Sequence, residues 1–113
     1  MELIGRDILS KLKNKNRGNS KLLQAIDQLI VDLESLKVDS TNNLKTLRSD
    51  FEKVHNDGFY FVNIHIHRVL LVIKVERNEV KIVWAGNHDE YVRTFKNNKK
   101  SIEKWIRIND LTK

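Results

Sequence analysis

The alternation of apolar and polar residues changes phase once between residues 59 and 76, and this change limits the possible fold more than any other feature. The apolar positions are even before residue 66 (Tyr60, Val62, Ile64) and odd after it (Val69, Leu71, Ile73, Val75). A two-residue turn at Ile66-His67 explains the switch, because residues 65 and 68 then pair across a hairpin on one face. A β-bulge within one long strand is the alternative explanation.

The sheet pattern continues to Ala85, so residues 59–85 are predicted to form strands throughout. Arg77-Asn78 is the predicted second hairpin turn. The third strand is predicted to bury Val80, Ile82 and Trp84 together on one face. Ala85-Gly86-Asn87 then breaks the strand, and we expect a loop after it.

Apolar residues at helical spacing precede and follow this sheet. Residues 2–13 have roughly helical spacing, and residues 20–36 carry the clearest apolar stripe, with Asn19 or Ser20 as the N-cap. Ser101 is the predicted cap of a last helix. We therefore predict one α+β domain over residues 1–113. Its N-terminal helices pack on one face of a small antiparallel sheet of three to four strands, and a C-terminal helix completes it.

The composition excludes several classes of protein. The chain has 113 residues and no cysteine, so it has no disulfide framework, thiol nucleophile or thiolate metal site. No apolar run reaches the length of a membrane span, and the N-terminus lacks the pattern of a secretory signal. We expect a cytoplasmic protein without a membrane partner.

The formal net charge of +6 points to a polyanionic partner. Basic residues cluster in residues 6–21 and 93–107, and an acidic stretch, residues 22–39, separates the two clusters. This sided distribution is typical of a surface that holds phosphate groups. A basic surface that only keeps the protein in solution is the alternative.

The predicted hairpin gathers polar side chains on one face, and the loop after the third strand adds more. These residues are His65, Arg68, Lys74, Lys81, His88, Glu90 and Tyr91. They suit RNA cleavage by attack of the 2′-hydroxyl on the adjacent phosphate, which needs a base, an acid and cations, but no metal. Histidine transfers protons near neutral pH, and guanidinium binds phosphoryl oxygens through two donors.

Each assignment has a structural alternative. His88 is the candidate base or acid, or else a residue that fixes its loop. Tyr91 stacks on a base or donates a proton, or else belongs to the core. Glu90 accepts a proton, or else pairs with a nearby cation. Arg68 holds the phosphate, or else lies on a solvated face of the sheet, and the same alternative applies to Lys74 and Lys81.

A zinc site is a weaker hypothesis. His65 and His67 share a face if the strand is continuous, and His88 would supply a third ligand. The proposed turn separates the first two histidines, and no obvious carboxylate ligand lies nearby in the sequence. We therefore expect neither a metal nor another cofactor.

The segment Gly86-Asn-His-Asp-Glu-Tyr91 resembles the Gly-Thr-His-x-Glu-Tyr motif of HigB-type toxins in the RelE superfamily. The resemblance extends to the opening Met-Glu-Leu-Ile-Gly-Arg-Asp, the helical hairpin, Phe61–Ile64 and the strand with Arg68. It implies an opening edge strand at Glu2–Ile4. The chain departs from the family at the loop His65-Ile-His-Arg-Val, which is shorter, and in continuing well past Tyr91.

The resemblance implies a compact RelE-like α+β fold and the toxin of a type II toxin–antitoxin system. Such a toxin is an endoribonuclease that cleaves translated mRNA on the ribosome, and a HigA-like helix-turn-helix antitoxin neutralises it. We expect a monomeric free toxin with His88, Tyr91, Arg68 and Glu90 as catalytic residues. The predicted RNA-binding residues are His65, Lys74, Lys81, Arg93, Lys96, Lys99 and Lys100. A non-catalytic basic module that binds RNA or protein is the alternative function.

Overall fold

A computed structural model describes residues 1–36, 48–55, 58–96 and 98–109. Within these residues, five strands form one sheet with helices on both faces. The strands are β1 (Glu2–Ile4), β2 (Glu52–His55), β3 (Phe59–Ile64), β4 (His67–Lys74) and β5 (Glu79–Asn87). The helices are α1 (Arg6–Lys15), α2 (Ser20–Glu34), α3 (His88–Phe95) and α4 (Lys99–Ile108), with a 3-10 turn at Val75–Arg77. None of these helices is long and apolar enough to cross a membrane.

The sheet has the order β1-β5-β4-β3-β2, with β1 parallel to β5 and all other neighbours antiparallel. The predicted α+β class is confirmed. The predicted count of three to four antiparallel strands was too low, because β1 and β2 extend the two edges. The opening strand agrees with the family resemblance and not with the helical spacing of residues 2–13.

Gly5 makes the sharp change from β1 to α1 possible. Its φ of 88° lies in the left-handed region, and a Cβ there would come within 2.4 Å of the Ile82 carbonyl oxygen. Only glycine satisfies both conditions without strain. The chain can therefore leave the sheet edge and enter a helix that packs beside β5.

The two N-terminal helices cover one face of the sheet, as predicted. The stripe on α2 is fully buried at Leu22, Ile26, Leu29 and Leu33. The predicted N-cap is also confirmed, because the Asn19 side chain accepts a hydrogen bond from the backbone N–H of Leu22 at 3.1 Å.

The opposite face is covered by α3 and α4, whereas the sequence predicted a single C-terminal helix. Buried aromatic and aliphatic side chains fill this second cluster; they are Phe59, Phe61, Leu70, Val72, Tyr91, Phe95, Ile102 and Ile106. The prediction of a loop at residues 88–91 was wrong. Asn87 and Glu90 form a reciprocal capping box, which starts a helix directly at the end of β5.

The phase switch between β3 and β4 is a two-residue turn, but at His65-Ile66 instead of Ile66-His67. Ile64 pairs with His67, and Asn63, not His65, is the partner of Arg68. His65, the first residue of this turn, has a positive φ of 58°. Histidine tolerates this conformation better than a β-branched isoleucine does, which explains the shift by one residue.

Trp84 faces the side opposite to the one predicted. The register of β4 against β5 shifts between Leu70 and Leu71, and Val83 is the additional residue. This bulge reverses the alternation along β5. Val80 and Ile82 therefore face α1 and α2, while Trp84 packs in the cluster beneath α3 and α4.

A network around Arg48 ties three parts of the fold together. Its guanidinium donates to Asp32 on α2 at 2.9 Å, to Asp50 at 2.8 and 2.9 Å, and to the Asn63 carbonyl oxygen on β3 at 2.9 Å. Burial raises the pKa of the Asp50 carboxyl, but hydrogen bonds from Arg48 and the Asn63 backbone N–H outweigh it. The pKa of Asp50 is therefore below its ordinary value of 3.8.

Replacing Arg48 by Met should lower the free energy of unfolding by about 1–3 kcal/mol at pH 7, because two partly buried carboxylates lose their partner. The folded state favours ionised Asp50, so this stabilisation is present above pH 3.8 and is lost as the pH falls below it. Urea unfolding at several pH values measures it. The difference between wild type and variant should shrink in acid; a constant difference would contradict the role of Asp50.

Candidate functional site

The starts of β4 and α3 meet the end of β5 at one corner of the sheet. His67 pairs with Asn87, and Arg68 pairs with Gly86. Residues 67–68 and 86–93 form this region, which we call the corner. The capping box fixes the first turn of α3 to the end of β5, and Arg68 pairs with Gly86 from β4. The corner therefore contains all four predicted catalytic residues, which are His88, Tyr91, Arg68 and Glu90.

Gly86 allows α3 to begin this close to the sheet. A Cβ at this position would lie 2.8 Å from the Trp84 ring and 3.1 Å from the Glu90 Cβ. Both distances are shorter than normal contacts between carbon atoms. A side chain at residue 86 would therefore displace the Trp84 ring and press against the first turn of α3.

On the α3 side of the sheet, Arg68 lies between two aromatic rings. Its Cζ is 4.6 Å from the centroids of both Phe61 and Tyr91, a distance typical of cation–π contact. Its Nη2 also donates to the Glu52 carboxylate at 2.5 Å. We call these four residues the arginine cage. Only 5% of Tyr91 and 20% of the Arg68 side chain are exposed, so both residues contribute to packing.

His88 lies at the rim of the cage. It is exposed as the first residue of α3, and its ring is 6.5 Å from the Tyr91 ring at an interplanar angle of 27°. The imidazole is therefore accessible to a ligand that approaches the start of α3. Glu90 is half-buried, and its Oε1 accepts the backbone N–H of Asn87 at 2.9 Å.

A groove of about 390 Å³ lies on the other side of the corner, between it and α1. Its lining comprises Ile8, Lys11, Leu12, Lys15, Asn16, His67, Ala85, Asn87, Glu90 and Arg93. We call this the corner groove. Among the described residues, Lys11, Lys15 and Arg93 form no ion pair. Their uncompensated charges make the groove suitable for an anion such as a phosphodiester.

His67 is the buried histidine of the groove lining. Only 5% of it is exposed, and its Nδ1 is enclosed without a hydrogen-bond partner among the described residues. Burial lowers the pKa of this imidazole, the Glu90 charge raises it, and His65 lowers it further. The net pKa is below the ordinary value of 6.5. The ring is therefore neutral at pH 7 and can accept a proton.

The predicted RNA-binding residues do not all converge. Arg93 lines the groove, and His65 is exposed in the neighbouring turn. Lys74 and Lys81 share the sheet face of Arg68, but Lys74 lies six residues farther along β4, or roughly 20 Å. One phosphate cannot contact both Arg68 and Lys74. Lys96, Lys99 and Lys100 are exposed beyond the far end of α3.

The structure does not assemble the hypothetical zinc site. In the described part of the chain, which includes His65, His67 and His88, no three histidine or acidic side chains are grouped as metal ligands.

Three residues of the groove, Lys11, Lys15 and His67, are not among the predicted catalytic or RNA-binding residues. The sequence placed the two lysines only in the basic cluster of residues 6–21, and His67 was a candidate only as a ligand of the alternative zinc site. The two lysines are four residues apart, so they lie on one face of α1. That spacing is visible in the sequence, but it does not reveal which face meets the corner. His67 was assigned to the turn, and the shift of the turn by one residue places it in the sheet.

No protein-family model matches this chain, and no curated protein matches it with significant similarity.

Proposed function

We propose that the protein is a metal-independent endoribonuclease and the toxin of a type II toxin–antitoxin pair. The observation that carries this proposal is the corner groove. Its lining combines three cations that form no ion pair within the described residues with the imidazole of His67 and the carboxylate of Glu90. The Gly86–Tyr91 resemblance and the α+β fold are consistent with it. The expected partners remain translated mRNA, the ribosome and a HigA-like antitoxin.

In the proposed reaction, the groove cations hold the phosphates that flank the cleaved bond. The 2′-oxygen attacks phosphorus, and the 5′-oxygen leaves, which produces a 2′,3′-cyclic phosphate. Proton transfer is proposed for His88 and Glu90 at the start of α3. Arg68 and Tyr91 act from within the arginine cage, where they support α3 beneath these two groups.

Purified protein should cut RNA and leave 2′,3′-cyclic phosphate ends, tested on free RNA in the presence of EDTA and on translating ribosomes in the magnesium buffer that they require. Glu90→Gln should slow cleavage by about 100-fold, since a proton-transfer group contributes at least this much. Glutamine also forms capping boxes, so the melting temperature should change little. Unchanged cleavage by this variant would exclude Glu90 from the reaction.

A non-catalytic RNA-binding module is the second candidate. It is favoured by the arginine cage, because two of the four predicted catalytic side chains, Arg68 and Tyr91, make packing contacts. Mapping transcript ends after expression in cells distinguishes the two functions. A nuclease creates new 5′ ends and arrests growth, whereas a binding module leaves transcript ends unchanged.

A further inference from the structure

A histidine at position 67 lowers the stability of the fold, which is unexpected for a residue with a purely structural role. An enclosed polar atom without a hydrogen bond destabilises a fold, whereas an apolar side chain of similar size would pack there without this cost. The other buried or half-buried polar groups of the groove are satisfied. Asn87 and Glu90 cap each other, and the Asn16 side chain donates to the Leu12 carbonyl oxygen at 2.8 Å.

The charges around His67 come from each element that lines the groove. Lys11 and Lys15 contribute positive charge from α1, and Arg93 contributes it from α3. Glu90 supplies the negative charge that favours a protonated ring, and His65 in the adjacent turn opposes protonation. A neutral imidazole therefore lines the same groove as the cations that would hold a phosphate, and the Glu90 carboxylate can stabilise an imidazolium ion there.

We infer that His67 is the general base of the proposed RNA cleavage, in contact with the 2′-hydroxyl of a nucleotide bound in the corner groove. This assignment rests on the proposed function and adds a catalytic residue that the Gly86–Tyr91 motif does not contain. Because Nδ1 is enclosed, Nε2 is the nitrogen that takes the proton.

The step balances with water as the only co-reactant. The 2′-hydroxyl proton moves to Nε2 of His67, the bond from the 2′-oxygen to phosphorus forms, and the bond from phosphorus to the 5′-oxygen breaks. The 5′-oxygen takes a proton from His88, and water and Glu90 then return the proton from His67 to His88. The groove cations stabilise the charge that develops on the phosphoryl oxygens.

The test compares His67→Gln with a control, His55→Gln. The control also removes an imidazole, but from β2, the edge strand on the far side of the sheet from β5 and β1. We expect His67→Gln to reduce cleavage by about 100-fold or more. Its affinity for an RNA with 2′-O-methyl groups, which cannot be cleaved, should change less than about threefold, because the cations bind the phosphates. His55→Gln should cleave like the wild type.

The pH dependence and the stability of a second variant separate catalysis from folding. The wild-type cleavage rate should rise with pH and level off, and His67→Gln should lose this dependence. His67→Leu should be inactive but melt about 4 °C or more above the wild type, because it removes the enclosed nitrogen that has no partner among the described residues. If His67→Leu melts below the wild type and His67→Gln cleaves RNA at a rate near that of the wild type, the role of His67 is structural.

The experiment distinguishes a failure of the proposed function from a failure of the His67 assignment. A wild-type protein that cuts no RNA, free or on ribosomes, would overturn the proposed function and this assignment with it. Cleavage by wild type and by His67→Gln at similar rates would overturn the assignment of His67 alone.

Discussion

Reversing Lys11, Lys15 and Arg93 together to glutamate is expected to weaken RNA binding by about a thousandfold at physiological salt. The three side chains line one groove, form no ion pairs within the described residues, and are exposed. Each reversal replaces an attraction for phosphate by a repulsion. The net charge also falls from +6 to neutrality, so a control is needed that changes the total charge equally.

The matched control is the reversal of Lys21, Arg77 and Lys104, which are exposed residues outside the corner. It removes the same charge, so it measures the effect of the global field on binding. Fluorescence anisotropy with a single-stranded 2′-O-methyl RNA at several salt concentrations gives both affinity and salt dependence. The groove variant should lose about two units of the log–log salt slope, at roughly 0.7 per phosphate contact.

Equal losses of affinity in the two triple variants would show that the groove is not a specific site. RNA would then bind through the overall charge of the protein. If the control binds within about tenfold of the wild type, the groove carries the interaction. The result does not depend on catalysis, so it tests the groove under both candidate functions.

The sequence predicted the sheet and α2 well because both depend on local patterns. The α2 stripe repeats at the period of a helix, and the phase switch between β3 and β4 favoured a hairpin over a bulge. These patterns arise because one side of each element must be buried. The turn position was wrong by one residue because backbone conformation, and not hydrophobic pattern, selects His65 for the positive φ.

The sequence was less informative where elements meet. The bulge at Val83 reverses the side on which Trp84 lies, and a regular alternation cannot reveal it. Asn87 and Glu90 have the spacing of a capping box, which starts a helix, whereas the strand break at Ala85-Gly86-Asn87 predicted a loop. The capping box was therefore available in the sequence, whereas the groove depends on how α1 packs against the corner.

Arg68 shows why a polar position on a strand does not establish a ligand contact. The sequence places it on the face shared with Lys74 and Lys81, and the register confirms that placement. The helix α3 then covers part of this face and brings the Tyr91 ring over the guanidinium. The packing of α3 brings Tyr91 to Arg68, whereas Phe61 and Glu52 reach it from the strands β3 and β2 of the same sheet.

Replacing Phe61 by Ala is expected to lower the free energy of unfolding by about 3–5 kcal/mol, the cost of removing a large aromatic side chain from a core. Phe61 is fully buried at the centre of the second cluster. Its ring meets those of Trp84, Tyr91 and Phe95 at centroid distances of 6.4, 5.1 and 5.3 Å. Small domains have about 5–15 kcal/mol of total stability, so the variant should be marginally folded.

Phe61→Leu is the matched comparison, because it keeps most of the buried volume and removes the ring. We expect Phe61→Leu to lower the free energy of unfolding by less than half as much as Phe61→Ala, because the cavity is smaller. Some loss remains, because the edge-to-face contacts between the rings are gone. Urea denaturation followed by tryptophan fluorescence suits both variants, because Trp84 lies in the same cluster.

Phe61→Leu also measures the energy of the arginine cage. Combining Phe61→Leu with Arg68→Met in a double-mutant cycle isolates the energy between the ring and the guanidinium, which we expect to be about 0.5–2 kcal/mol. A coupling near zero would mean that Arg68 is held mainly by Glu52. Arg68 would then be a better candidate for phosphate contact than the cage suggests, because the Glu52 side chain is 60% exposed and such a pair exchanges readily with an anion.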